Sequence, residues 1–167
     1  NNAGIVSGAP GWPDTSLARL KQVIDVNLGG VVFGTRLAIE AMRGDGGVIV
    51  NTASMAALHP FAEDPVYAAT KAAIVALTQA CRGLAETMGI RVNAVCPGLT
   101  ATPMLDKTGS ASGSGTGTGT EPAPWLQRYL DRWEPVPAAL VASVVIELIE
   151  NESRSGEFVV VPNQSRG

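Results

Sequence analysis

The run "VYAATKAAIVAL", Val66 to Leu77, places Tyr67 four residues ahead of Lys71 among small apolar side chains. On a helix of about 3.6 residues per turn, positions four apart lie one above the other, so the phenol and the ammonium share a face. A free phenol, with a pKa near 10, is a poor base at neutral pH, and a nearby ammonium favours its phenolate. At an effective dielectric near 20, unit charges about 4 Å apart interact by roughly 4 kcal/mol, on the order of three pKa units at most. The plain alternative is a core tyrosine followed by a surface lysine.

Two more polar groups belong with this pair. Ser54 closes the run "VIVNTAS" 13 residues before Tyr67, and its hydroxyl can donate to a substrate oxygen. Asn27 sits in "VIDVNLGGVVFGT", where a mid-helix asparagine among apolar neighbours is disfavoured. A helix distortion with a water-holding role explains it; a satisfied buried amide is the plainer reading.

The elements that must hold these residues alternate in type. "GVIVNTAS" (Gly47 to Ser54), "IRVNAVCPG" (Ile90 to Gly98) and "GEFVVVP" (Gly156 to Pro162) read as buried strands, and about Leu17 to Met42, about Pro65 to Met88 and Pro137 to Glu150 read as helices. Strands alternating with helices imply an α/β, doubly wound parallel sheet, because a parallel connection needs a crossover. Ser54 then stands at the carboxyl end of a strand, where open α/β sheets bind ligands. The segment from Lys107 to Pro124 is low-complexity Gly/Ser/Thr and reads as a mobile surface loop, a lid or a linker. Its glycines follow no strand, so they are no dinucleotide fingerprint. Trp125, Tyr129 and Trp133 recur every four residues, on one helix face that either packs on the core or lines a pocket.

Composition narrows the partners. The 167 residues are 46% hydrophobic and 16% charged, the balance of one soluble domain. A net charge of −3 with scattered Lys and Arg leaves no footprint for nucleic acid. No apolar run approaches the roughly 20 residues of a membrane span, and no signal peptide is visible. Cys81 and Cys96 lack ligand or framework spacing and read as buried free thiols of a reducing, cytoplasmic setting. No cluster suggests a metal, and His59, beside Pro60, reads as a loop histidine.

The set "NNAG" (Asn1 to Gly4), Asn27, Ser54, "YAATK" and "VNAVCPGLTATPM" (Val92 to Met104), in this order and spacing, resembles the short-chain dehydrogenase/reductase family. The resemblance implies a Rossmann-like sheet and an NAD(P)-dependent enzyme that interconverts a secondary alcohol and a ketone. Tyr67 would be the general acid/base; Lys71 would lower its pKa and hold the nicotinamide ribose. Ser54 would hold and polarise the substrate oxygen, and Asn27 would support a water chain. Asn2, Ala3 and Gly4 would line the adenosine side, and the Pro97–Gly98 turn would lead to Thr102 at the nicotinamide carboxamide.

The C-terminal stretch from Trp125 to Gly167 is most similar to the 15-hydroxyprostaglandin dehydrogenase branch. That likeness implies NAD, with NADP left open, and a lipid-like hydroxy substrate closed over by Met104, Leu105 and the 107–124 segment. A 3-oxoacyl-carrier-protein reductase-like member and a non-catalytic dinucleotide sensor are the alternatives. A serine hydrolase is disfavoured, since no G-x-S-x-G elbow surrounds Ser54. The helix from about Pro65 to Met88 is apolar around most of its circumference, which in this family suits a two-fold interface of a homodimer or homotetramer. The family's Gly-rich phosphate turn and first strands are not among these residues. The chain therefore reads as a partial domain, a fragment expected to be inactive or unstable by itself.

Overall fold

The computed structural model describes residues 1–108 and 124–167. In chain order the elements are α1 (Leu17–Ile24), a π-helical turn (Asp25–Gly29), α2 (Gly30–Ala41), β1 (Gly47–Thr52), a 3-10 turn (Met55–Ala57), α3 (Pro65–Ala80), a 3-10 turn (Cys81–Gly83) and α4 (Leu84–Met88). They continue with β2 (Ile90–Pro97), α5 (Pro103–Thr108), α6 (Pro124–Arg132), β3 (Trp133–Glu134), α7 (Ala138–Glu150), β4 (Phe158–Val161) and β5 (Gln164–Ser165).

The three expected strands form one parallel sheet in the order β1-β2-β4. Its register pairs Gly47 with Ile90 through Thr52 with Val95, and Ala94 with Phe158 through Pro97 with Val161. Asn1 extends the sheet beside β1: its amino group donates to Val50 O at 2.9 Å, and its carbonyl accepts from Thr52 N at 2.9 Å. The period of two along β2 separates the layers. Ile90 and Val92 pack with Ile49, Ala38, Ile39 and Met42, while Ala94 and Cys96 pack with Val31, Ile74 and Val75 of α2 and α3. Val95 points the other way, to Val161, Val136 and the Val141, Val144 and Val145 side of α7. The sheet is therefore covered on both faces, as parallel sheets are.

Several boundaries differ from the sequence reading. The helix expected from Leu17 to Met42 is opened by the π turn around Asn27, and the one from Pro65 to Met88 breaks at Cys81–Gly83. Trp133 lies on β3, so it does not continue the helix face of Trp125 and Tyr129. β3 and β5 form a small antiparallel pair with no periodicity to announce it. Of the expected loop from Lys107 to Pro124, Lys107 and Thr108 end α5 and Pro124 begins α6; the remainder lies outside the described residues. Among the described residues no helix is long and apolar enough to cross a membrane, and no His/Cys/Asp/Glu group could hold a metal ion. Both cysteines are free, Cys96 buried and Cys81 partly so.

Candidate active site

Three of the singled-out side chains meet at the carboxyl end of β1. The strand stops at Thr52, and Ser54 turns the chain by capping the Met55–Ala57 turn, its Oγ accepting from Ala56 N at 3.1 Å. The same hydroxyl lies close enough to the Tyr67 phenol to pull its pKa down. Tyr67 reaches it from the first turn of α3, whose start is fixed by an Asp64 N-cap followed by Pro65, a residue preorganised for the first helical position. One turn on, Lys71 is buried, its Nζ 5.7 Å from the centre of the Tyr67 ring and donating to Thr52 O at 2.8 Å.

The electrostatics depart from the expected lowering of the Tyr67 pKa by Lys71. Burial raises the phenol above its usual range; the Ser54 hydroxyl pulls it down in part, and the Asp64 carboxylate pushes it up. Lys71 is not among the groups that shift the phenol: its ammonium lies 5.7 Å from the ring centre and donates to Thr52 O. Lys71 itself is lowered to about 8 by burial, offset in part by Cys96. The Cys96 thiol, raised by burial to about 11, takes a backbone hydrogen bond from Ser54. At neutral pH the site therefore holds a neutral phenol above a mostly protonated amine.

Asn27 is both distorted and satisfied. Its amide is fully buried in the π turn, accepts from Ile5 N at 2.7 Å and donates to Ile5 O at 2.9 Å and Thr70 Oγ1 at 3.3 Å. The wider turn lets one side chain serve the backbone of a neighbouring segment and a residue of α3 at once. That neighbouring segment carries Gly4. A Cβ there would lie 3.5 Å from Lys71 Nζ, 3.6 Å from Asn27 Oδ1 and 3.8 Å from Met104 Cε, so the bare glycine keeps open the surface beside the ammonium. Asn2 and Ala3 are exposed just before it. An open, polar shelf at the strand ends, beside an ammonium that uses one of its three N–H donors on Thr52 O, fits a sugar hydroxyl of a dinucleotide.

Aromatic side chains pack beside Tyr67 and along α6. Phe61 lies 6.2 Å from the Tyr67 ring and stacks on Trp125 of α6 at 5.9 Å, while Tyr129 tilts against Trp133 at 6.4 Å. Pro97 is buried and Gly98 follows, held so near Asn163 that a Cβ would fall 2.1 Å from its Oδ1. Thr102 is exposed, its Oγ1 3.4 Å from Thr100 O, and Met104 and Leu105 are partly buried. His59 is exposed and enters no contact with Ser54 that a hydrolase would need.

Phe61, Asp64 and Asn163 were not anticipated. The string "EDP" before an apolar helix is a readable cap signal, whereas the roles of Phe61 and Asn163 depend on contacts 64 residues apart in sequence and leave no local trace.

Known proteins resemble this chain along most of its length. The chain is 30% identical over 167 residues to 15-hydroxyprostaglandin dehydrogenase [NAD(+)] of Rattus norvegicus, an alignment covering 96% of this chain and 59% of the relative. Among solved structures, aldohexose dehydrogenase of Thermoplasma acidophilum in ligand-free form superposes with a TM-score of 0.77 at 27% identity, covering 97% of this chain and 64% of that one. ElxO with NADP bound superposes at 0.76 and 25% identity, with the same coverages of 97% and 64%. The chain thus spans about three fifths of the length of these proteins. A family profile described as short chain dehydrogenase matches residues 1–113, and this chain belongs to that family.

Proposed function

We propose that the protein is an NAD(P)-dependent oxidoreductase that interconverts a secondary alcohol and a ketone, with Tyr67 as its general acid/base. The observation that carries this reading is the Ser54 hydroxyl facing the Tyr67 phenol at the end of β1, one helical turn from a buried Lys71. A ketone oxygen placed between the two hydroxyls would be held by Ser54 and protonated by Tyr67 as carbon gains hydride; in oxidation Tyr67 takes that proton back. When bound, the nicotinamide supplies or accepts the hydride. Lys71 would hold the nicotinamide ribose and Asn2, Ala3 and Gly4 would line the adenosine side, with the Pro97–Gly98 turn and Thr102 toward the carboxamide. Asn27 keeps Gly4 at the right height by bonding Ile5.

NAD is the cofactor favoured, on the NAD(+) in the rat relative's name; the NADP in ElxO keeps both in the test. The aromatic wall of Phe61 and Trp125 beside Tyr67 favours an apolar, lipid-like alcohol over a polar one. A panel of secondary alcohols and ketones with either cofactor, offered to the protein carrying the complete domain and followed by absorbance of reduced nicotinamide, tests the reading. Turnover that Tyr67→Phe lowers by at least about 10²-fold is expected. Equal turnover in the wild type and the Phe variant would refute it.

A further inference from the structure

We propose that Asp64 is a positioning residue for Tyr67, tying the catalytic turn of α3 through Ser7 to the segment that carries Gly4. The idea rests on the reading of Tyr67 as the proton-transfer group. A helix cap needs one accepted hydrogen bond, and Asp64 Oδ1 accepts it from Tyr67 N at 3.0 Å. Ser7 then uses both carboxylate oxygens as well, its backbone N donating to Oδ2 at 2.7 Å and its Oγ to Oδ1 at 2.7 Å. Both residues are buried, Asp64 with 7% of its surface exposed and Ser7 with 5%, although a cap at a loop could have stayed in water. Burying a carboxylate is costly unless it is fully bonded, and here three donors meet it.

The other side of Ser7 is also gripped. Arg19 of α1 donates from Nε to Ser7 O at 3.0 Å and from Nη2 to Val6 O at 2.6 Å. The 6–7 backbone is thus clamped between a guanidinium and a carboxylate. Tyr67 hangs from that carboxylate by its own amide, so the phenol is placed relative to Gly4 and Asn27 and not merely relative to α3. The groups that bear on the phenol are Asp64 at the cap of its helix and Ser54 after β1; Lys71 lies one turn on with Cys96 of β2 beside it, and Arg19 of α1 reaches the tie through Ser7.

Two variants separate the tie from the cap. Asp64→Ser keeps a good capping oxygen but cannot hold both Ser7 donors; Ser7→Ala keeps the cap and the charge but loses one strand of the tie. In the full chain both are expected to lower kcat by about 10- to 10²-fold, as misplacement by about 1 Å does, with KM changed less than about twofold. A second measurement does not depend on turnover. The chain has 2 tyrosines, so ultraviolet titration of tyrosinate, with the Tyr67→Phe chain subtracted, reads Tyr67 alone. Ser7→Ala is expected to lower the Tyr67 midpoint toward the ordinary value of about 10, because a loosened phenol gains water.

Wild-type kcat and an unmoved tyrosinate midpoint in Ser7→Ala, with Tyr67→Phe silent, overturn the tie. If the wild-type protein carrying the complete domain has no turnover, the functional reading fails and the titration alone decides the tie. Should Asp64→Ser not fold, Asp64→Asn, which keeps the shape but offers Ser7 one acceptor, replaces it.

Discussion

At the scale of single residues, the chemistry depends on two groups that burial moves in opposite directions. Tyr67 rises, so the phenol is the resting form and serves at once as the acid of ketone reduction. Alcohol oxidation needs the phenolate, and its kcat is expected to climb with pH through the alkaline range, whereas reduction is not. Stopped-flow rates in both directions against pH check this; parallel profiles would contradict it. Lys71 falls from its ordinary 10.5 to about 8. Below about 8 the folded chain bears the full cost of a buried ammonium. Between about 8 and 10.5 the unfolded chain binds the extra proton, so stability rises with pH, by up to about 3 kcal/mol. Cys96 works against it from its ordinary 9.0 to about 11, because the unfolded thiol ionises first. The comparison of wild type with Lys71→Met isolates the lysine. In urea unfolding, the stability of Lys71→Met relative to wild type is expected to shrink as pH rises from about 8, and a constant difference would deny the amine its burial cost.

At the scale of elements, local patterns and long-range contacts divide what a sequence discloses. The strands around Val48–Val50, Val92–Cys96 and Val159–Val161 are legible because β-branched runs bounded by glycine have few other fates. The Tyr67–Lys71 face is legible because helical geometry alone sets it. The π turn is half legible: Asn27 marks the place, but the reason is Ile5, 22 residues earlier. The field of Lys71 on Tyr67 was misjudged because spacing fixes a shared face and not where a flexible amine ends, and Thr52 O claims it. Asn163 is the extreme case, silent in sequence yet joining four elements. Just past β4, its Nδ2 donates to Leu99 O and Glu134 O at 2.8 Å each, while Oδ1 accepts from Leu99 N at 2.9 Å and from the Tyr129 hydroxyl at 2.7 Å. It holds the turn after Pro97–Gly98 and the α6 wall in one geometry. Asn163→Ala leaves these partners without it and is expected to cost about 2–4 kcal/mol in urea unfolding and to raise KM for an apolar alcohol. A loss under about 0.5 kcal/mol would mean that water replaces the amide in full.

At the scale of the whole molecule, the question is what covers the apolar surface that the fold leaves outside. Phe33 and Leu37, one turn apart on α2, are 69% and 70% exposed, far more than side chains of this size that serve a monomer's core. On α3 the outward positions Ala69, Ala72 and Ala76 make a flat, small-residue face. Large side chains on one helix and a smooth face on the next are complementary when the same surface meets itself about a two-fold axis, since each copy offers both halves. We therefore expect a second copy of the chain here, in line with the interface that the apolar helix suggests. In such an arrangement every substitution occurs twice. Phe33→Glu places two carboxylates in the contact, and each loses water and, near the axis, faces the other. Sedimentation at micromolar concentration should give a dimer or tetramer for the wild type and a monomer for Phe33→Glu, with circular dichroism unchanged because Phe33 takes little part in the core. A wild type that sediments as a monomer, or a Phe33→Glu chain that stays associated, removes this face as the contact. If the variant dissociates and keeps its Tyr67 tyrosinate midpoint, the site is complete within one copy; if the midpoint moves with dissociation, the second copy helps hold α3 in place.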